Sequence, residues 1–555
     1  METAGLAIGV VGLFGQVFAG AIKAIKLIRS IQDAPKDFEQ VLLGFRLQEG
    51  RLMSWGEGVG LLQAPAAGDE WRISISQQDR WVAQDLLDSV RSEIQQLLKP
   101  LITKAEEVNR LTAAQEPNER ALNAWLREME RKQKELSSKI TWATLKGDRL
   151  TSCLRCLTST INDLISLTSE KTQREILRKV NLVYAELVLV HNSVDKLGQL
   201  FHALASAEKG VTLTRLAHFK AAMKERQAKL SLHPKSQLSK GAIEVLDLIE
   251  QDERWMASYD DRKGFWVEWK NYPTGNTSQG PTKEQIERFI IQELVGLLAE
   301  EDSHAIQVPQ CIGYVDDHPR SDRFCLLYKY PKGVTTDARL RTLFSLFREP
   351  QRPDLADRIE LARAVAQTLY YLHTVGWLHK ALRSDNILFF QEPNEGVEYS
   401  TPYVSGFDDA RPSGQDQMSQ VAGAKEGLEY YQHPDTLTGF DDEGRKPFRA
   451  TFDVYSLGII LIEIAHWKPL REILRGSAVR PWEVHDALFR DPRWLQDVGF
   501  AVGRAYEDVV RTCLQGWNSL GADGVEETST EGALCLMANF EMMVLEKLHN
   551  IQVSV

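Results

Sequence analysis

The chain has 555 residues, of which 43% are hydrophobic and 26% are charged, and its formal net charge is -11 at pH 7. A single hydrophobic core stops growing beyond roughly 250–300 residues, so this length predicts two domains. The composition is that of a globular protein and excludes a collagen-like or wholly disordered chain. The negative charge disfavours a nucleic-acid partner, because affinity for nucleic acid depends mainly on Lys and Arg that neutralise phosphates.

Cysteine usage indicates neither a disulfide framework nor a zinc site. Only Cys153 and Cys156 lie close together among the six cysteines, and no second pair or histidine cluster accompanies them. We therefore interpret both as ordinary core or surface residues, expect no metal, and expect a reducing cytosol.

The N-terminus carries an apolar run that has the length of a membrane span. From Ala4 to Ile22 there is no charged residue, and Lys23 follows directly. As a helix this run would span roughly 28 Å, close to the thickness of a hydrocarbon core. Glu2, in place of a basic residue, argues against a secretory signal peptide. Two interpretations stay open, a membrane-active segment and a buried helix of a bundle. The membrane-active side chains would be Leu6, Val10, Val11, Leu13, Phe14, Val17, Phe18 and Ile22.

The stretch between Phe38 and Phe201 repeatedly places apolar residues at helical spacing, which predicts the helices of a bundle. The longest seam alternates steps of four and three residues, and a capping box of Thr172 and Glu175 is expected to begin its helix. We recognise no ligand-binding or catalytic set before residue 220. The apolar positions are Leu87, Val90, Ile94 and Leu97; Leu150, Leu154, Leu157, Ile161 and Leu164; and Ile176, Val180, Val183, Leu187, Val190, Val194, Leu197 and Phe201.

This N-terminal part resembles a known family. The apolar run and the segment ITWATLKGDRLTSCLRCLTSTINDLISLTS at 140–169, which contains Trp142, are similar to the fungal HeLo domain, also called the prion-inhibition and propagation domain. The resemblance covers roughly residues 3–220 and implies an all-helical bundle. It also implies cell death in heterokaryon incompatibility, through insertion of the apolar segment at 4–22 into a membrane after activation.

A polar segment at 226–240, with one Pro and a closing Gly, is predicted to link two domains. Beyond it, the strand-like runs GFWVEWK at 264–270 and RFCLLYKY at 323–330 flank a helical stretch near 284–299, and later segments are mostly helical. This order predicts an α+β bilobal fold of the protein-kinase kind. The predicted domains are 1–225 and 241–555.

The resemblance to protein kinases is most specific at LHKALRSDNILFF, which matches the catalytic-loop pattern H-R-D-L-x-x-x-N through His379, Leu382 and Asn386. Ala381 stands where the catalytic Asp would accept the proton of the substrate hydroxyl, and a methyl group cannot do so. The resemblance therefore implies a kinase fold without its general base.

The metal-binding D-F-G segment is also altered, since VSGFDDARP places Gly406 where the Mg²⁺-binding Asp would stand. A shift of one residue leaves open that Asp408 or Asp409 approaches a metal ion, together with Asn386.

Only part of the nucleotide-binding set is recognisable. Lys270 resembles the strand lysine that contacts the phosphates, and Glu287 lies at a spacing that allows it to pair with Lys270, with Glu293 as the competing choice. An exposed Lys-Glu pair is the alternative. The glycine-rich loop is missing, because Gly264 is the only glycine in the stretch before Lys270. The candidate nucleotide-binding residues are Lys270, Glu287 and Asn386, no cofactor is required, and binding of ATP and Mg²⁺ is left open.

The motifs that support the fold are better preserved than those that carry the chemistry. EYYQHPD at 429–435 resembles the segment that closes the activation loop, and FDVYSLGIILIEI at 452–464, with Asp453, resembles the following core helix. The resemblance covers about 250–470, and the tail to Val555 has a helical pattern. A pseudokinase is therefore predicted.

The leading hypothesis is a signal-gated cell-death effector, cytoplasmic at rest and at the plasma membrane when active. The pseudokinase would restrain the helical domain until an upstream protein releases it to oligomerise and to permeabilise membrane lipid. One alternative is an active or weakly active Ser/Thr-type protein kinase that uses ATP and is targeted by a helical oligomerisation domain. Another is a non-enzymatic scaffold.

Overall fold

A computed structural model describes most of the chain, which divides into two compact units. One unit comprises Met1–Leu187 and Asp195–Thr214, and the other comprises Val188–Val194 and Arg215–Val555. The described residues are 12–29, 36–61, 75–98, 147–190, 197, 212–230, 237–248, 254–272, 283–289, 294–299, 306–407, 410–412, 427–437, 448–474 and 480–552.

The described part of the first unit is mainly helical, as the apolar spacing predicts. Helix α1 contacts α2 and α3, and both of those contact α4. The helices are α1 Gly12–Arg29, α2 Lys36–Gly58, α3 Gln77–Leu98, α4 Gly147–Ser166 and α5 Glu170–Val190.

Trp55 of α2 is fully buried. Its indole Nε1 donates a hydrogen bond to the carbonyl oxygen of Leu164 over 2.9 Å, and its ring centroid lies 6.1 Å from that of Phe18. Gly56 beside it lets α1 approach closely, because a Cβ at Gly56 would lie 2.3 Å from Cζ of Phe18. The core therefore joins α1, α2 and α4 by direct contact.

The predicted apolar stripes are confirmed in α3 and α4. Leu87, Val90 and Ile94 are buried in α3. The side chain of Leu97 lies outside the described part of the chain, and Leu154 is half-buried. The fully buried stripe residues of α4 are Leu150, Leu157, Ile161 and Leu164.

The predicted start of α5 is wrong. The helix begins at Glu170, and the hydroxyl of Ser169 accepts a hydrogen bond from the backbone N–H of Thr172 over 3.3 Å. Ser169 therefore supplies the cap, because it precedes the first helical turn while Thr172 already lies within it. The predicted seam is buried at Ile176, Val180, Leu187 and Leu197, but Val190 is 47% exposed as the last residue of the helix.

The second unit contains an antiparallel five-stranded sheet in the order β1-β2-β3-β5-β4. One face of this sheet packs a cluster that includes Ala257, Phe265, Val267 and Leu327. Because side chains alternate along a strand, Trp266, Glu268 and Lys270 point to the other face. The strands are β1 Ile243–Leu248, β2 Arg254–Tyr259, β3 Arg262–Asn271, β4 Gln310–Asp316 and β5 Arg323–Lys329.

Shorter strands follow in two small sheets. One has the order β6-β8-β9 and the other pairs β10 with β7. These strands are β6 Arg339–Thr342, β7 Trp377–Leu378, β8 Ile387–Gln391, β9 Tyr403–Val404 and β10 Arg411–Pro412.

Helices make up most of the remaining described part of this unit, which confirms the predicted α+β arrangement. The central one is α12, whose residues Thr451 to Ala465 are all buried. The helices are α6 Thr212–Leu230, α7 Lys283–Phe289, α8 Val295–Leu298, α9 Leu343–Leu346, α10 Leu355–Thr374, α11 Pro434–Leu437, α12 Ala450–His466, α13 Leu470–Ile473, α14 Val484–Arg490, α15 Arg493–Val502, α16 Arg504–Gln515, α17 Trp517–Leu520, α18 Thr530–Phe540 and α19 Glu546–His549.

Helix α6 extends into the segment that was expected to link the domains. It remains helical to Leu230, and 231–236 lie outside the described residues. The predicted domain limits stay predictions.

Candidate functional site

The segment that matches the catalytic loop is held by the core helix α12. Both carboxylate oxygens of Asp453 accept backbone hydrogen bonds, from the N–H of His379 over 2.8 Å and from the N–H of Lys380 over 2.7 Å. Lys380 has a φ of +68°. A backbone conformation that L-residues seldom adopt is thus stabilised by two charge-assisted hydrogen bonds.

His379 is fully buried and its two ring nitrogens have different partners. Nε2 lies 2.9 Å from the carbonyl oxygen of Ser405, and Nδ1 lies 3.3 Å from the backbone N–H of Ala381. Since a carbonyl oxygen only accepts, Nε2 carries the proton and Nδ1 is the acceptor. The imidazole therefore joins the loop to the segment that precedes Gly406.

Ala381 is buried at the position predicted for the missing base. Its side chain has no proton acceptor, and its carbonyl oxygen accepts a hydrogen bond from Nδ2 of Asn386 over 2.7 Å. The described geometry offers no general base at this position of the loop.

Gly406 leaves no room for the carboxylate of a metal ligand. It has a φ of +79°, and a Cβ there would lie 2.2 Å from Nδ2 and 2.5 Å from Oδ1 of Asn386. An Asp at this position would require both a change of backbone and a displacement of Asn386. Asp408 and Asp409 lie outside the described residues.

The side-chain oxygen of Asn386 accepts a hydrogen bond from a buried arginine, Arg254, which the sequence pattern did not single out. Arg254 of β2 donates from NH2 to Oδ1 of Asn386 over 2.7 Å and from NH1 to the carbonyl oxygen of Asp385 over 2.8 Å. Its Nε donates to Oε1 of Glu268 over 2.7 Å. Ser405 donates to the same Oε1 over 2.5 Å. We call Arg254, Glu268, Asn386 and Ser405 the Arg254 cluster.

The four residues of the Arg254 cluster are at most 8% exposed. A charge buried in this way is stable only when it is paired and hydrogen-bonded, and here the guanidinium has three acceptors. The sequence held one signal, a lone acidic residue within the otherwise apolar run FWVEW of β3. Alternation predicts that Glu268 shares a face with Lys270, although its partners cannot be read from a local pattern.

The other predicted nucleotide-binding residues lie on β3 and α7. Lys270 is half-buried in β3 opposite Phe324 of β5. Glu287 of α7 accepts a hydrogen bond from the hydroxyl of Tyr314 over 3.1 Å. Burial and the nearby Glu287 carboxylate raise the pKa of Tyr314. The pairing of Lys270 with Glu287 stays a prediction, and Glu293 lies outside the described residues.

These residues do not fit a metal ion with a bound nucleotide. The Asn386 oxygen that could serve as a ligand is engaged by a cation, and the neighbouring position 406 has no carboxylate. Among the described residues, no group of three or more His, Cys, Asp or Glu side chains is arranged to hold a metal ion. Burial raises the pKa of the Cys153 thiol to about 12, so that sulfur is protonated.

The second candidate site is the apolar helix α1. Its residues Val17, Phe18 and Ile22 are buried. Of the other predicted membrane-active residues, Leu6, Val10 and Val11 lie outside the described residues, as do the side chains of Leu13 and Phe14. None of the described helices combines the length and the apolar character that crossing a membrane requires.

Comparison with known families matches the N-terminal part of the chain. Residues 5–200 match the HeLo family, described as prion-inhibition and propagation. The match contains α1 to α5 and agrees with the family resemblance of the sequence.

The C-terminal region is similar to protein kinases. A probable serine/threonine-protein kinase of Dictyostelium discoideum is 24% identical over 234 residues, which is 41% of this chain and 12% of that protein. The serine/threonine-protein kinase MST20 of Pyricularia oryzae is 25% identical over 195 residues, 35% of this chain and 18% of that protein. Serine/threonine-protein kinase PAK 1 of Mus musculus is 26% identical over 196 residues, 35% of this chain and 30% of that protein. The chain thus spans less than a third of each of these curated relatives.

Proposed function

We propose that this chain, in which a HeLo domain is followed by a kinase-like domain, is a signal-gated cell-death effector. The kinase-like part restrains the helical part until an upstream protein releases it. The released helical part then oligomerises and permeabilises membrane lipid. The chain is cytoplasmic at rest and moves to the plasma membrane when active.

The observation that carries the proposal is the packing of α1. An apolar helix in water must cover its surface, and here Phe18 is buried against Trp55 and Gly56. The same surface becomes available to lipid when α1 leaves the bundle.

A kinase function receives less support from the site. Phosphoryl transfer depends on positioned metal ions and on a residue that orients the attacking hydroxyl. The loop has Ala381 in place of that residue, and Gly406 leaves no space for a metal-binding Asp. The other alternative is a non-enzymatic scaffold. A membrane-leakage assay distinguishes a scaffold from a membrane-permeabilising effector.

The test is dye leakage from vesicles of phosphatidylcholine and phosphatidylserine, with the full chain and its variants. We expect Gly56→Ala to increase leakage, because the new methyl group displaces Phe18 and weakens the packing of α1 against α2. Gly58→Ala is the matched control, since it makes the same change in the same helix but its Cβ would meet Ile176 at 3.0 Å and not α1.

A second substitution separates insertion from simple unfolding. Val11→Asp places a charge in the apolar run and should suppress the leakage of the Gly56→Ala variant, whereas Val11→Leu should not. Leakage that persists with Val11→Asp would exclude insertion of the N-terminal run. Intact vesicles with every variant, although circular dichroism shows that Gly56→Ala loosens the bundle, would favour the scaffold.

A further inference from the structure

The Arg254 cluster lies where an active kinase would hold its metal ions and nucleotide phosphates. It joins four segments: Arg254 comes from β2, Glu268 from β3, Asn386 from the catalytic-loop segment, and Ser405 precedes Gly406. We propose that Arg254 is a built-in bridging cation. Its guanidinium replaces a metal ion and nucleotide, and it holds the five-stranded sheet against the catalytic-loop segment without any bound ligand.

The chemistry of the side chains supports a permanent bridge. A guanidinium remains protonated at every ordinary pH and presents its donors in a fixed planar fork. Here three different nitrogens of that fork reach three acceptors, which are Oε1 of Glu268, Oδ1 of Asn386 and the carbonyl oxygen of Asp385. A cation that is covalently part of the chain cannot dissociate, so the bridge does not depend on the concentration of a ligand.

Asn386 is also fixed from its other side. Its Nδ2 donates to the carbonyl oxygen of Ala381, and Gly406 packs directly against its amide group. The backbone N–H of Ser405 donates to the carbonyl oxygen of Asn386 over 2.8 Å. The acceptor of the Arg254 guanidinium is therefore held in one orientation, with no freedom to turn its oxygen toward a metal ion.

A second contact across the same cleft is apolar. Trp266 precedes Glu268 by two residues and so shares its face of β3. Its ring stacks on Tyr328 with a centroid separation of 5.2 Å, and it lies 5.5 Å from the ring of Phe390 in β8. Trp266 is fully buried. Two successive inward side chains of β3 thus fill the space beneath the sheet and contact the segments that follow the catalytic loop.

The inference goes beyond the proposed function and does not depend on it. It states that the kinase-like domain is held closed by its own residues and does not respond to nucleotide. Any signal that changes this domain must act by separating the sheet from the catalytic-loop segment, and not by exchange of a nucleotide.

Thermal unfolding of the full chain, without lipid, tests the proposal. We expect no change in Tm on addition of about 1 mM ATP with Mg²⁺, a concentration at the upper end of the usual range of KM values. Arg254→Met should lower the Tm by about 5–10 °C, because it leaves the Glu268 carboxylate buried and unpaired. Adding Glu268→Met to that variant should recover most of this loss, since no uncompensated charge then remains.

Lys263→Met is the control, since it removes a positive charge from an exposed position of β3, the strand that contains Glu268. It should leave the Tm unchanged. A fluorescent ATP analogue with Mg²⁺ gives the second measurement and should not bind the wild-type chain. Binding that Lys270→Met abolishes, or a rise in Tm with Mg²⁺ and ATP, would overturn the proposal. So would a Tm of Arg254→Met equal to that of the wild type. If Arg254→Met does not fold, the Arg254→Met/Glu268→Met variant and the nucleotide measurements decide.

Discussion

Gly406 and Asn386 lie so close together that the metal-binding Asp side chain of an active kinase would have no space at position 406. The contact has two parts, the positive φ of Gly406 and the short distance from its missing Cβ to the Asn386 amide group. A single reversion to Asp would therefore not restore a metal ligand. At this position the obstacle to a metal-binding Asp is therefore steric.

Alanine substitutions at two glycines separate the effect of backbone strain from the effect of the close contact with Asn386. Gly333 has a φ of +90° and open space around its missing Cβ, so Gly333→Ala should reduce the free energy of unfolding by about 1–2 kcal/mol through backbone strain alone. Gly406→Ala should cost about 1–3 kcal/mol more, because its methyl group meets Asn386. Denaturant unfolding measures both. Equal losses would mean that Asn386 moves aside freely.

At the scale of elements, a buried lysine of α6 holds the C-terminal end of α5, within the second unit, to which Val188 and Leu189 of α5 belong. The ammonium group of Lys220 donates to the carbonyl oxygens of Val188 over 2.7 Å and Leu189 over 3.0 Å, which lie in the last turn of α5. Carbonyl groups in the last turn of a helix are commonly capped by groups outside that helix, and the Lys220 ammonium supplies such a donor to both. Burial, with a smaller contribution from Lys224, lowers the pKa of Lys220 to about 7.

Replacement of Lys220 tests this contact between the two helices. Lys220→Met should reduce the free energy of unfolding by about 1–3 kcal/mol at pH 7, because the buried carbonyl group of Val188 and the half-buried one of Leu189 lose a donor. The wild-type chain should gain stability as the pH rises from about 7 to the ordinary lysine range, since only the unfolded chain is still protonated there. The variant should lack this rise.

Lys224→Met is the control for the charge effect. It removes the like charge beside Lys220 while leaving both hydrogen bonds in place. The rise in stability should therefore begin at a higher pH, with little change in stability at pH 7. Loss of stability equal to that of Lys220→Met would contradict the role of the two carbonyl contacts.

At the scale of the whole molecule, a buried carboxyl group connects three segments of the second unit that are distant in sequence. Glu463 of α12 accepts hydrogen bonds through Oε1 from the hydroxyl of Tyr431 and from the backbone N–H of Leu470, each over 2.8 Å. The Tyr431 hydroxyl also lies 2.8 Å from that of Ser384 in the catalytic-loop segment. Burial raises the pKa of Glu463 to about 8, so it is largely protonated at neutral pH.

The raised pKa of Glu463 predicts a loss of stability with rising pH. The unfolded chain releases this proton near pH 4.5 and the folded chain near 8, so the free energy of unfolding should fall between these values and level off above them. Glu463→Gln should flatten this fall. Glu472→Gln, at an exposed position, is the control and should leave it intact. Denaturant unfolding at several pH values measures both; a fall that persists in Glu463→Gln would assign it to other groups.

Much of the fold could be predicted because its signals are local. The spacing of Leu87, Val90 and Ile94 reports one face of one helix, and the run at 452–464 has the composition of a helix buried on all sides. The start of α5 could not be predicted as safely, because Ser169 and Thr172 compete for the same cap. Such errors concern which of two similar side chains precedes the first turn.

The sequence by itself determined that two positions of the kinase motifs have no carboxylate, because Ala381 and Gly406 carry none in any fold. Only the tertiary structure decided what fills the space. Arg254 and Asn386 are 132 positions apart, and a hydrogen bond over that separation leaves no periodic signal in the chain. Packing likewise decided the resting place of α1, since an apolar helix can be covered by lipid or by protein, and here Phe18 meets Trp55. The amino-acid composition of a helix shows that its apolar surface must be covered, but the complementary shape of neighbouring side chains decides which segment covers it.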